Sequence, residues 1–136
     1  MGIAWALWQS GIAVNNLQWQ DKAIEIMKYS TLRVNWEQTL VNDCGICHGS
    51  AGVAMMFRRF YLETHEEVFR DAWIYWNNFT LHFKRFDDGL AGFKTHELQE
   101  WKNDFSLLTG ISGIGLSILS YLRDDVQEWD ELFLLS

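Results

Sequence analysis

The sequence predicts an all-α fold, built of helical hairpins whose inner helices are rich in glycine. Three observations carry that prediction. The 136 residues contain no proline, so the strongest helix breaker is absent. Apolar residues recur at helical spacing along nearly the whole chain. A glycine-led apolar helix start occurs three times, with an amphipathic stretch between successive copies. The copies are Gly2-Ile3-Ala4-Trp5-Ala6-Leu7, Gly52-Val53-Ala54-Met55-Met56-Phe57 and Gly113-Ile114-Gly115-Leu116-Ser117-Ile118-Leu119. They stand about 50–60 residues apart, as in helical-repeat proteins.

The segment from about Gly2 to Val14 is almost wholly apolar and reads as a buried helix. Asn15-Asn16 is a polar break suited to capping the next helix. From Leu17 to about Arg33, Ala23, Ile24, Met27 and Leu32 share a face, with Asp21, Lys22, Glu25 and Lys28 mainly elsewhere. A polar loop follows, roughly Asn35 to Gly45. The third helix runs from about Cys47 to Leu62. Thr64-His65-Glu66-Glu67 has the form of a capping box. It opens a fourth helix, about His65 to Lys84, with a Trp73-Trp76-Phe79-Phe83 stripe for packing. A loop carries Asp87-Asp88-Gly89 and Gly92, and a short helix is expected near Glu97 to Asn103. The fifth helix covers about Leu108 to Leu122, and a tail runs from Val126 to Ser136.

The totals bound the function. A chain of this length forms one domain and buries a real core. A net charge of −7 argues against nonspecific binding to nucleic acid or an anionic membrane. No run of about 18 apolar residues is present, so no transmembrane helix is expected. Met1-Gly2-Ile3-Ala4-Trp5 lacks the positive region and cleavage site of a secretory signal, which gives a cytoplasmic expectation. Glycine in a helix interior costs about 1 kcal/mol against alanine. Its repeated use at helix starts points to close backbone approach, to helix packing, or to a ligand over the helix ends.

Asn42-Asp43-Cys44-Gly45-Ile46-Cys47-His48-Gly49-Ser50-Ala51-Gly52 carries the chemistry. Cys47 and His48 are adjacent, at or just before a helix start, where free amides and the helix dipole favour a thiolate. Thiolate and imidazole together suit zinc. A catalytic zinc normally takes three protein ligands and keeps one open position, so a further ligand is required. Cys44 has knuckle spacing to Cys47 and is the candidate substitute; the alternative is a small buried cysteine. Cys44-Gly45-Ile46-Cys47-His48 also has the form of a haem c attachment signature. The missing export signal weighs against haem, and the glycine repeat already accounts for Gly49 to Gly52. His65, His82 and His96, and the acidic pairs Asp87-Asp88 and Asp124-Asp125, read as capping or solvated groups.

The Cys47-His48-Gly49-Ser50-Ala51-Gly52 stretch resembles the zinc signature of lanthionine synthetase C proteins. Three further stretches agree: Leu107 to Leu116 resembles that family's last inner helix, Trp129 to Ser136 its C-terminal ending, and Gly2-Ile3-Ala4 the segment after its Trp-Cys-Tyr-Gly motif. The resemblance implies a bacterial, cytoplasmic, zinc-dependent lantibiotic cyclase on an α/α toroid. Its substrate is a dehydrated precursor peptide, and a dehydratase is its partner. Peptide cysteine thiolates add to dehydroamino acids and close thioether rings. Cys47 and His48 match the second and third zinc ligands. The first ligand and the acid/base histidine would lie before Met1. The resemblance therefore implies a partial α/α toroid, residues 1–136 forming a single C-terminal third of the domain, with an incomplete zinc site and no activity of its own. The alternative function is a non-catalytic helical-repeat module that binds a peptide or partner. A free arc exposes its flanks, with Trp5, Trp8 and Phe57 as the expected apolar surface, and is expected to self-associate.

Overall fold

The computed structural model describes residues 1–97, 99–123 and 129–130. Among these residues the order is α1 (Gly2–Ala13), α2 (Leu17–Thr31), α3 (Trp36–Thr39), α4 (Ser50–Thr64), α5 (Glu67–Leu81), β1 (Thr95–Glu97), β2 (Glu100–Lys102) and α6 (Ile111–Leu122). The fold is all-α apart from one small hairpin. No helix among the described residues is long and apolar enough to cross a membrane.

Two hairpins, α1–α2 and α4–α5, form the body. Across them α1 meets α4, α4 meets α6, and α2 meets α5. The glycine-led helices α1, α4 and α6 therefore make one layer, and the amphipathic α2 and α5 make the other. This is the layering expected for an arc of an α/α toroid.

Local chemistry explains most of the boundaries. Asn15 takes a left-handed backbone (φ 52°) and turns the chain. Asn16 then caps α2, its side-chain oxygen accepting the Trp19 N–H at 3.2 Å. The expected polar loop contains the single turn α3. Asn35 starts it by accepting from the amides of Glu37 (2.9 Å) and Gln38 (3.2 Å). Four residues are too few for an apolar period to show in the sequence.

The capping box at Thr64–Glu67 does not form. Thr64 still belongs to α4, where its hydroxyl donates to the Phe60 carbonyl at 2.6 Å. His65 closes α4 in the left-handed region (φ 56°), and α5 begins two residues later. Glu67 pairs with Arg70 at 3.0 Å rather than reaching back. The short helix expected near Glu97–Asn103 is instead the antiparallel β1–β2 hairpin, apart from Leu98, which lies outside the described residues. His96 is paired with Trp101 across it. Their rings lie 4.8 Å apart, a cross-strand contact that a helix would separate.

The main core lies between the layers. Trp5 and Trp8 of α1, Met27 of α2, Phe57 and Phe60 of α4, and Phe69 and Trp76 of α5 are its bulky members. Trp5 meets Phe60 edge-on at 5.5 Å, and Phe60 meets Phe69 at 5.5 Å. The expectation that Trp5, Trp8 and Phe57 form an exposed flank is therefore wrong. All three face the interhelical core, where large aromatic area is best used. Nor is α1 buried all round, since Ile3 is 81% exposed. The aromatic stripe on α5 packs as expected, with Phe79 edge-on to both Trp76 and Phe83.

Residues 129–130 fasten the inner layer. The Asp130 carboxylate accepts from the Arg59 guanidinium of α4 in a buried, two-pronged pair. Trp129 donates its indole N–H to Ser120 of α6 at 2.9 Å. Losing one partner of such a buried pair typically costs about 3–5 kcal/mol, because the other charge stays behind. The rest of the expected tail, and Asp124-Asp125, lie outside the described residues.

The three glycine starts are not equivalent. An added Cβ at Gly52 would collide with the Ile46 carbonyl, and one at Gly113 with the Leu107 carbonyl. At Gly2 the same Cβ meets nothing within 4 Å. Gly52→Ala and Gly113→Ala are each expected to lower stability by about 2 kcal/mol or more. Gly2→Ala is expected to be neutral or stabilising by up to about 1 kcal/mol. Urea unfolding midpoints of the three variants check this ranking.

Candidate metal centre

Two loops of the same construction lead into α4 and α6. The first runs from Asp43 to Gly52 and the second from Asp104 to Gly113. Each begins with an aspartate whose Oδ1 accepts the amide two residues on: Gly45 N–H at 3.0 Å, and Ser106 N–H at 2.8 Å. In each, the aspartate carbonyl accepts the first amide of the following helix, Ser50 N–H at 3.0 Å and Ile111 N–H at 2.9 Å. Each helix is preceded by a glycine of nearly identical backbone, Gly49 (φ −99°, ψ −173°) and Gly110 (φ −100°, ψ −170°). Any residue adopts that extended backbone, so glycine is required for space. A Cβ on Gly49 would strike Asp43, and one on Gly110 would strike Asp104.

The loops also hold each other. The amides of Ile46 and Cys47 both donate to the Leu108 carbonyl, at 2.8 and 2.9 Å. Thr95 on β1 donates its hydroxyl to the Thr109 carbonyl at 2.8 Å, which ties the hairpin to the second loop. On the other side, Thr80 of α5 donates to Ser50 Oγ at 2.8 Å. Ser117 of α6 donates to the Ala51 carbonyl at 3.5 Å. The first loop is thus fixed from three directions.

Cys47 and His48 occupy the outer turn of this fixed loop. They precede Gly49 and the first residue of α4, so the third helix begins later than its apolar pattern indicated. Cys47 is a free, exposed thiol. The His48 side chain is 53% exposed, while the Asp43 carboxylate behind it is fully buried. Asp43 Oδ2 stands 3.1 Å from His48 Nε2, but off the line of a hydrogen bond. Cys47 and His48 line a cavity of about 360 Å³ with Met1, Ile46, Val53 and Met56 among its walls. Among the described residues, no three His, Cys, Asp or Glu side chains gather as a metal-binding group. The sequence pair is brought together; a third ligand is not.

Cys44 is placed differently. It packs with Phe83, Phe93 and Ile114, and its Sγ lies 3.8 Å from the Lys94 carbonyl. Burial, helped by the neighbouring Asp43 charge, pushes its pKa up to about 12. A thiol so held stays protonated near neutrality, whereas a metal ligand must be a thiolate. This geometry agrees with the buried-cysteine alternative.

The remaining histidines stand apart from the cavity. His65 closes α4 with its ring edge-on to Tyr61. His82 closes α5, its Nδ1 lying 3.0 Å from the Asn78 carbonyl. His96 packs on Trp101. Asp88 is paired with Lys94 at 2.6 Å, and that hydrogen bond holds its carboxyl below the usual range. Sequence reasoning missed Asp43 and Asp104. The signal was present as an aspartate six residues before a glycine and nine before the next, repeated at 43-49-52 and 104-110-113.

A family sequence model described as lanthionine synthetase C-like protein matches residues 1–134. No curated protein matches the chain significantly.

The two thiols are expected to separate in a labelling experiment. In the native protein at neutral pH one thiol reacts with a disulfide reagent, and mass spectrometry places it at Cys47. Both react in denaturant. Native labelling of Cys44 at a comparable rate would contradict its buried, protonated state.

Proposed function

The chain belongs to the lanthionine synthetase C-like family, and from that premise we propose that it serves a peptide cyclase, with Cys47 and His48 as two ligands of a zinc ion. Its substrate is a dehydrated precursor peptide, delivered by a dehydratase partner. The observation that carries this reading is one loop that exposes a thiol and an adjacent imidazole at a cavity wall, backed by a buried carboxylate.

The residues fit the metal. Cys47 is free and reachable, and thiolate with imidazole is a donor set zinc prefers. A carboxylate beside the ligating histidine is the usual supporting partner of such a site. Met1, at the N-terminal end of α1, lines the same cavity, which supports a third ligand supplied from beside that end. Zinc bound there would act as a Lewis acid that favours the thiolate of a peptide cysteine and holds its sulfur.

The chain's own residues do the rest of what is described. Ile46, Val53, Met55, Met56 and Leu108 give the cavity an apolar wall that excludes water from a bound thiol. In the overall addition, a carbon–sulfur bond forms at the β-carbon and the carbon–carbon π bond breaks. The thiol proton ends on the α-carbon, and no other reactant is consumed. Among the described lining residues, only Cys47 and His48 carry titratable side chains, so protonation of the α-carbon is assigned to a group outside that lining.

Cobalt substitution tests the ligands directly. The cobalt-loaded protein is expected to show a thiolate-to-metal charge-transfer band. Cys47→Ser abolishes the band, His48→Ala weakens metal binding, and Cys44→Ala leaves both unchanged. Adding a Trp-Cys-Tyr-Gly segment ahead of Met1 tightens binding and intensifies the band. A band that survives in Cys47→Ser would refute the assignment. Peptide binding that is indifferent to metal would favour a non-catalytic binding module.

A further inference from the structure

Asp43 enters the function proposed above only as a carboxylate beside His48. Its side chain is fully buried. Oδ1 accepts the Gly45 amide, but Oδ2 has no hydrogen-bond partner. A buried carboxylate oxygen without a donor is costly and asks for an explanation.

The second loop supplies an internal comparison. Asp104 Oδ1 accepts the Ser106 amide, and its Oδ2 accepts the Thr109 hydroxyl at 2.5 Å. These bonds, the Thr109 bond first, hold the Asp104 carboxyl below the usual carboxylate range. Thr109 stands five residues after its aspartate, and His48 stands five residues after Asp43. Asp104 Oδ2 also accepts the Ser106 hydroxyl at 3.0 Å, but the first loop has Gly45 at that position, so there Oδ2 is left to the side chain five residues on. In the first loop that side chain is an imidazole, with Nε2 already 3.1 Å from Oδ2.

We propose that Asp43 is the positioning residue of His48: its Oδ2 accepts the Nε2–H and fixes the ring tautomer, leaving Nδ1 as the nitrogen offered to a metal. This rests on the reading of His48 as a zinc ligand. A small turn of the exposed ring completes the bond. The rest of the loop holds the carboxylate in place, because its Oδ1 accepts the Gly45 amide and fills the space that a Cβ on residue 49 would need. The neutral imidazole has one donor and one acceptor nitrogen, so fixing one fixes the other.

Asp43→Asn tests this with little change of volume. The Gly45 amide still requires an acceptor at Oδ1, so the asparagine NH2 takes the place of Oδ2. It then faces Nε2 as a donor, and the ring proton moves to Nδ1. In the metal-free, 15N-labelled protein at about pH 8.5, well above the ordinary histidine pKa, ring nitrogen shifts are expected to show Nε2–H in the natural sequence and Nδ1–H in Asp43→Asn. Zinc affinity is expected to fall about 10–100-fold in Asp43→Asn. Asp104→Asn, which alters the twin loop, leaves zinc affinity unchanged. The same tautomer in both proteins overturns the proposal. So does an Asp43→Asn protein that binds zinc normally while His48→Ala does not. If His48→Ala itself binds zinc normally, the ligand reading fails, and that result stands apart from the metal-free tautomer measurement. Circular dichroism on each variant separates these outcomes from loss of fold.

Discussion

The contact on which the structure depends is the seat of a loop carbonyl against the first turn of a helix. The Ile46 carbonyl lies where a side chain on Gly52 would be, and the Leu107 carbonyl lies where one on Gly113 would be. Only a residue without a Cβ permits that approach. It brings each loop down onto the helix it introduces. The aspartate at the loop's start then ties off its free amides. Cores of small proteins tolerate many hydrophobic exchanges, but a backbone collision of this kind has no cheap relief.

The same loop serves two purposes in two places. Before α6 it is structural: Leu108 gives its carbonyl to the first loop, and Thr109 satisfies Asp104. Before α4 the corresponding positions carry Cys47 and His48, and they face a cavity. The shared scaffold supplies rigidity, and on the proposed function the two side chains placed on it supply the chemistry. That arrangement matches what a metal site needs, since ligands must be held in place before the ion arrives. The neighbours of the first loop are themselves anchored, through Thr80 on Ser50 and the Arg59–Asp130 pair along α4.

Much of this was legible in the sequence, for identifiable reasons. Long apolar periods located α1, α2, α4, α5 and α6, and Asn16 marked the start of α2. Cys47-His48 stood out because adjacent thiol and imidazole at a glycine-rich helix start are chemically distinctive. What failed was short or depended on tertiary context. Thr64 and Glu67 have capping-box spacing, but α4 runs through Thr64 and uses its hydroxyl inside the helix. Thr95 to Lys102 is too short and too polar for a period to declare itself, and its pairing rests on the His96–Trp101 contact. Trp5, Trp8 and Phe57 look like candidates for an exposed flank until α1 is seen to cross α4 on the Phe60 ring. Asp43 was missed because its partner depends on how the loop closes; only its repeated spacing to Gly49 and Gly52, matched by Asp104, Gly110 and Gly113, marks it in the sequence.

On the proposed function, the loop between Asp43 and Gly52 presents a sulfur and a nitrogen to the same ion. X-ray absorption at the zinc edge on the loaded protein tests it most directly. The predicted first shell contains sulfur at about 2.3 Å together with imidazole nitrogen at about 2.0–2.1 Å, and Cys47→Ser removes a sulfur while Cys44→Ala does not. A shell of oxygen and nitrogen alone, or one unchanged by Cys47→Ser, would contradict the account.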